Sequence, residues 1–135
     1  MRRIKLIPFL ALLPFGCSLI AGPEPWEETE YVVEVLELDV PTSIRADAPL
    51  EILATGYMPN SCHVFDRVEA ERRGHRMELT FIAFDYSSAT VACLAMSYQV
   101  DMKKSNPPPF RGPTFTVVVN QPDGSQLTRE VVVVN

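Results

Sequence analysis

From Tyr31 onward the apolar positions recur with a period of two, not 3.6. Met77, Leu79, Phe81 and Ala83 alternate with Glu78 and Thr80, which turns one face of an extended segment inward and the other toward water. Leu50, Ile52 and Ala54 do the same against Glu51 and Thr55, and Phe115, Val117 and Val119 share a face. Leu127, Val131 and Val133 form a further face, interrupted by Arg129. The run Val131 to Val134 is apolar on both sides, so a strand carrying it needs its second face covered or paired at an interface. Between Tyr31 and Val40 the phase changes. Val33 and Val35 stand in one register and Leu36, Leu38 and Val40 in the other, which a bulge or a switch between sheets near Val35 explains.

Turn residues punctuate these runs. Pro41 closes the first, Asp47-Ala48-Pro49 precedes the second and Pro59-Asn60 follows it. Arg73-Gly74-His75 separates two more, and Gln121-Pro122-Asp123-Gly124-Ser125 joins the last two as a hairpin loop. The pattern predicts seven strands, over 31–40, 49–57, 63–72, 76–86, 90–101, 114–120 and 126–134. Helix signals are nearly absent. Short strands at this spacing predict an all-β chain with one antiparallel β-sandwich, a small closed barrel being the alternative.

The N-terminus has a different composition. Arg2, Arg3 and Lys5 precede an apolar stretch from Leu6 to Phe15, too short to cross a hydrocarbon core of about 20 helical residues. Charge followed by a short apolar run reads as an export signal over residues 1–16. The segment Leu13-Pro14-Phe15-Gly16-Cys17 resembles the signal of bacterial lipoproteins, in which a Leu-x-Gly-Cys box ends at the cysteine that is lipidated. Gly16 and Cys17 match; Pro14 and Phe15 differ from the residues that family prefers there. The resemblance implies acylation of Cys17, a membrane partner held through acyl chains and, with Ser18 rather than Asp next, the outer membrane of the cell envelope where one exists. Residues 17–30 then read as a tether, with Gly22, Pro23 and Pro25 breaking regular structure and Glu24, Glu27, Glu28 and Glu30 keeping it solvated.

Charge and cysteine content narrow the function classes. The chain carries a net charge of −5, and removal of the signal would strip three bases and no acid. Such a surface argues against nucleic acid, whose phosphates need bases to neutralise them. With Cys17 lipidated, Cys62 and Cys93 remain, and an oxidising compartment predicts one disulfide between them, two buried free thiols being the alternative. The strand rhythm, the stretch Gly56-Tyr57-Met58-Pro59-Asn60-Ser61-Cys62 and the later Cys93 resemble small immunoglobulin-like sandwiches carried by bacterial lipoproteins, over roughly residues 31–135. The resemblance implies a domain 31–135 that is a non-catalytic interaction or structural module.

Few residues suggest chemistry. Ser61, His63 and Asp66 make a triad on paper, but without a nucleophile elbow they read as solvated loop-edge residues. Glu69 and Glu71 share one strand face, most simply the wet one. His75 and Met77 are spaced for a soft metal, with Met58, His63, Met96 and Met102 also available, so Cu(I) is the metal alternative to a chain that binds none. Met77 equally belongs to its strand's inward face. No cofactor and no enzyme activity are expected. Lys103 to Pro113 holds four prolines in its last seven residues and reads as a stiff loop between strands. There Phe110 and Arg111 form either a partner-binding tip or a crossover that drops Phe110 into the core rim. The basic cluster Arg67, Arg72, Arg73, His75 and Arg76 either docks an acidic partner or balances neighbouring glutamates. A small-ligand or copper-binding periplasmic module and a hydrolase inhibitor acting through 103–113 stand as alternatives to the interaction module.

Overall fold

A computed structural model of the chain describes residues 28–135. The expected signal 1–16, the lipidation site Cys17 and the tether as far as residue 27 lie outside the described residues. Nine strands follow: β1 (Thr29–Val32), β2 (Glu34–Asp39), β3 (Ser43–Arg45), β4 (Leu50–Met58), β5 (His63–Arg73), β6 (Arg76–Asp85), β7 (Tyr98–Asn106), β8 (Thr114–Asn120) and β9 (Gln126–Val134). They form two sheets with a shared core, a β-sandwich in outline.

One sheet is three-stranded, β2-β4-β7, and antiparallel throughout. The other is built on β6. β5 takes one side of it as an antiparallel hairpin partner. The other side is shared: the half from Ile82 to Asp85 pairs with β1, and the half from Arg76 to Leu79 pairs with β8. β9 follows β8, and β3 closes the far edge.

Several expectations are corrected here. Among the described residues the strands number nine, and the ladders β6–β8 and β3–β9 are parallel, so the sandwich is not purely antiparallel. The expected strand 31–40 is two strands in different sheets. Val33 donates its N–H to the Phe81 carbonyl at 2.8 Å, and Glu34 already pairs with Tyr57 of the opposite sheet. A register shift also lies between Val35 and Glu37. The phase change in the sequence thus marks both a switch of sheet and a bulge. The expected strand 90–101 begins only at Tyr98 and runs on through Lys103 to Asn106, shortening the proline-rich loop.

The alternating residues do build the core. Leu50, Ile52, Ala54 and Met58 of β4 and Met102 of β7 face Met77, Leu79, Phe81 and Ala83 of β6 and Phe115, Val117 and Val119 of β8. Val131 completes the set, but Val132 and Val134 on the other face of β9 stay about half exposed (50% and 44%), so that face is not covered by the described residues. At the rim of the three-stranded sheet, the Gln121 carboxamide accepts from the Val35 N–H (3.0 Å) and donates to the Val35 carbonyl (2.8 Å).

Gly56 sits where β4 must let two neighbours approach. A Cβ there would stand 2.7 Å from Met102 Cε and 2.7 Å from Val33 Cγ1. The methionine tip can swing aside, but the branched valine at the sheet switch has little freedom. Gly56→Val is expected to destabilise the domain by about 1–3 kcal/mol through overpacking. Urea unfolding followed by circular dichroism checks this, and an unchanged midpoint would mean that Val33 moves at no cost.

Candidate functional site

The feature with the strongest claim to function lies at one end of the sandwich, where the β4–β5 turn, the start of β1 and the segment between β6 and β7 meet. Asn60 opens the turn, its Oδ1 accepting the Cys62 N–H at 2.9 Å, an Asx arrangement that starts β5. Cys62 is buried and bridged to Cys93, with Cα atoms 5.4 Å apart and 31 positions between them in sequence. The expected disulfide is therefore present, as a staple between a turn and an irregular segment.

The bridge is one of several ties. Tyr86 donates its N–H to the Cys62 carbonyl (3.0 Å) and Ser61 donates its N–H to the Leu94 carbonyl (3.2 Å). The Ser61 hydroxyl accepts the Leu94 N–H at 2.8 Å. Residues 86–97 carry no strand, yet they are pinned at Tyr86, Cys93 and Leu94. The side chains of Leu94, whose backbone is pinned, and of Met96, two residues beyond it, project into solvent, 68% and 69% exposed, the two most exposed large apolar residues among those described.

Behind this segment is a polar cluster. The rings of Tyr31 and His63 meet edge to face at 5.2 Å, and the Tyr31 hydroxyl lies 2.9 Å from His63 Nδ1 and 3.4 Å from Met58 Sδ. His63 Nε2 stands 3.7 Å from Asp85, and the Tyr98 hydroxyl donates to the His63 carbonyl. Hydrogen bonds from Ser87, with His63 adding a smaller share, hold the Asp85 carboxyl below the usual carboxylate range. Burial, reinforced by the negative charge of Asp85, pushes the Tyr31 phenol up to about 12. Tyr31 thus keeps its proton across the physiological range and acts as a hydrogen-bonding strut, not a nucleophile or base.

That shift has a sign. The unfolded chain releases the phenol proton near pH 10, whereas the folded domain holds it to about 12. The stability it contributes is therefore complete below pH 10 and falls as the pH rises toward 12. Unfolding midpoints between pH 9 and 12 should decline less steeply in Tyr31→Phe than in the parent; parallel profiles would contradict the assignment.

The other candidates from the sequence are dispersed. Ser61, His63 and Asp66 do not form a triad: the Ser61 hydroxyl is engaged with Leu94, His63 with Tyr31 and Asp66 with Arg67. Glu69 and Glu71 are exposed and pair with Arg67 and Arg73. The basic cluster is balanced within the chain, since Arg67 contacts Glu30, Asp66 and Glu69 while Arg76 contacts Glu78. Arg72 instead donates to the Pro107 and Pro109 carbonyls, fastening the proline crossover to β5.

Phe110 is not a partner-binding tip. It is 2% exposed and packs edge to face on Phe115, with the Arg72 guanidinium over its ring; Arg111 beside it is exposed. Met77, Met58 and Met102 are buried in the core while His75 is exposed on the β5–β6 hairpin, so the His75/Met77 copper pair does not converge. The two recesses of note are shallow and acidic: one of about 280 Å³ between Glu34 and the β8–β9 hairpin, and one of about 320 Å³ over Glu37, Asp39, Asp101 and Lys103.

Sequence reasoning missed the Tyr31–His63–Asp85–Tyr98 cluster. Thr29 and His63 both stand opposite Asp85, one on each side of β6, a neighbourhood that only the strand order reveals. No family model, no curated protein and no solved structure matches this chain.

Proposed function

We propose that the chain is an exported lipoprotein, anchored to the cell envelope through acyl chains on Cys17, whose β-sandwich is a non-catalytic interaction or structural module of the immunoglobulin-like class. The observation that carries this reading is the Cys62–Cys93 bridge. A disulfide inside a single small domain suits an oxidising, exported environment. It also leaves Cys17 as the one cysteine outside the bridge, at the end of the lipoprotein-like segment. Ser61 and Asp66 are engaged in a turn and an ion pair, and Met58, Met77 and Met102 lie in the core, apart from the exposed His75 and Met96. Two sheets of short strands support the immunoglobulin-like comparison, and its departures are the parallel ladders β6–β8 and β3–β9.

Intact mass spectrometry of the protein extracted from native membranes tests the proposal, with alkylation before and after denaturing reduction. The expected product begins at Cys17, carries acyl chains and gains two alkyl groups only after reduction. A full-length or unacylated product would overturn the anchor, and thiols alkylated without reduction would overturn the exported, oxidised state.

A further inference from the structure

We infer that the pinned segment 86–97 is a membrane-docking loop, which seats Leu94 and Met96 in the same phospholipid bilayer that holds the chain's N-terminal anchor. The inference rests on the lipoprotein reading above. Three independent observations point to a bilayer as the occupant.

The first is position. β1 runs antiparallel to β6 and its first residue, Thr29, stands opposite Asp85, so the chain preceding β1 joins the domain beside Tyr86, where the loop begins. The apolar tip and the N-terminal segment are at one end of the sandwich. From Cys17 to Thr29 is 12 positions in sequence, a reach of at most about 40 Å, which keeps the tip within range of the anchoring surface.

The second is charge. From Tyr86 to Val100 there is no Asp, Glu, Lys, Arg or His, in a chain where such residues are otherwise frequent and the net charge is −5. Anionic lipid repels the rest of this surface, whereas an uncharged tip approaches it without repulsion and enters without desolvating an ion. Tyr57 and Tyr98, near the loop on β4 and β7, are 36% and 40% exposed, and tyrosine is a residue type enriched where headgroups meet water.

The third is rigidity at small size. Bonds from Ser61 and Tyr86, together with the Cys62–Cys93 bridge, already hold the loop, so docking orders little further. Two protruding side chains flanked by two tyrosines offer far less than the roughly 800 Å² per partner of a stable protein interface. A bilayer asks for no such area, because the anchor makes the second contact intramolecular and a weak insertion becomes well populated.

The test uses the full chain, purified from membranes and reconstituted in vesicles of phosphatidylethanolamine and phosphatidylglycerol. Trp26 is the chain's single tryptophan, so a Trp26→Phe background carrying Met96→Trp, or Leu94→Trp as a second reporter, places one fluorophore on the loop. Val132→Trp, half exposed on β9 at the other end, is the control. The expected result is blue-shifted emission and quenching by brominated acyl chains for the loop reporters and neither for the control. Adding Leu94→Asp to the Met96→Trp protein should then reduce the docked fraction at least about tenfold. Intact mass of the same sample separates the two readings. An acylated protein without loop quenching overturns docking and leaves the anchor standing. An unacylated protein whose loop is still quenched supports docking and overturns the anchor, and one with no quenching overturns both. A blue shift without bromolipid quenching, accompanied by dimers on cross-linking, assigns the loop to a second copy and overturns the inference.

Discussion

Opening the Cys62–Cys93 bridge is expected to lower the unfolding free energy by about 3–4 kcal/mol, on the chain-entropy account of a closed loop this long. The bridge closes 31 positions of chain, and much of the enclosed segment after Tyr86 has no strand to hold it. Without the bridge, that segment depends on the bonds from Tyr86 and Ser61 to Cys62 and Leu94, which are few and near solvent. The loss should therefore have two parts: a lower global midpoint in urea, and a selective rise in hydrogen exchange over 86–97 while the β8–β9 hairpin stays protected. Cys62→Ala/Cys93→Ala, compared with the reduced parent, separates the bridge from buried thiols. An unchanged midpoint in both would show that the backbone ties suffice.

Phe110→Ala is expected to cost about 3–5 kcal/mol, the range for emptying a buried aromatic site. Phe110 is 2% exposed, its ring centroid lies 4.9 Å from that of Phe115, and the Arg72 guanidinium carbon stands 4.7 Å from it and 5.2 Å from Phe115. Its backbone N–H also bonds the Ala46 carbonyl at 2.9 Å, so the residue joins the proline crossover to the segment after β3. Removing the ring leaves a cavity and deprives Arg72 of a cation–π face. Arg111→Ala, one position on and exposed, should change stability by less than about 0.5 kcal/mol. Urea curves on the two variants decide between them. A cost below 1 kcal/mol for Phe110→Ala, on the scale of a surface change, would return Phe110 to the surface.

What the sequence disclosed was whatever had a local period. Leu50-Ile52-Ala54, Met77-Leu79-Phe81-Ala83 and Phe115-Val117-Val119 each show the core face directly, because alternate side chains of a strand point the same way. The closing hairpin was legible for the same reason, aided by its Pro-Asp-Gly turn. β3 was not: three residues with one buried position, Ile44, set no period, and its partner β9 is remote in sequence. β7 was disguised because it is an edge strand. Its inward positions run Val100, Met102, Lys104 and Asn106, and the margin of the sandwich tolerates polar groups that a central strand would not. Segment 86–97 misled in the opposite direction, since apolar residues such as Val91, Leu94 and Met96 suggest a buried strand where the chain instead holds some of them in water. In this candidate site, the cysteine pairing was readable by counting, while the cluster around His63 needed the order of strands about β6.

The carboxamide of Gln121 on Val35 also bears on how these molecules meet one another. β2 is an outer strand of its sheet, and an outer strand is a template onto which a second chain can add by main-chain pairing. With Leu36 48% exposed beside it, this edge would otherwise be adhesive. Gln121 already occupies both the donor and the acceptor of Val35, as a neighbouring strand would, so an incoming chain must first evict it. Copies crowded together are thereby discouraged from zipping edge to edge along β2, and aggregation through that side of the sandwich is held back by a single side chain.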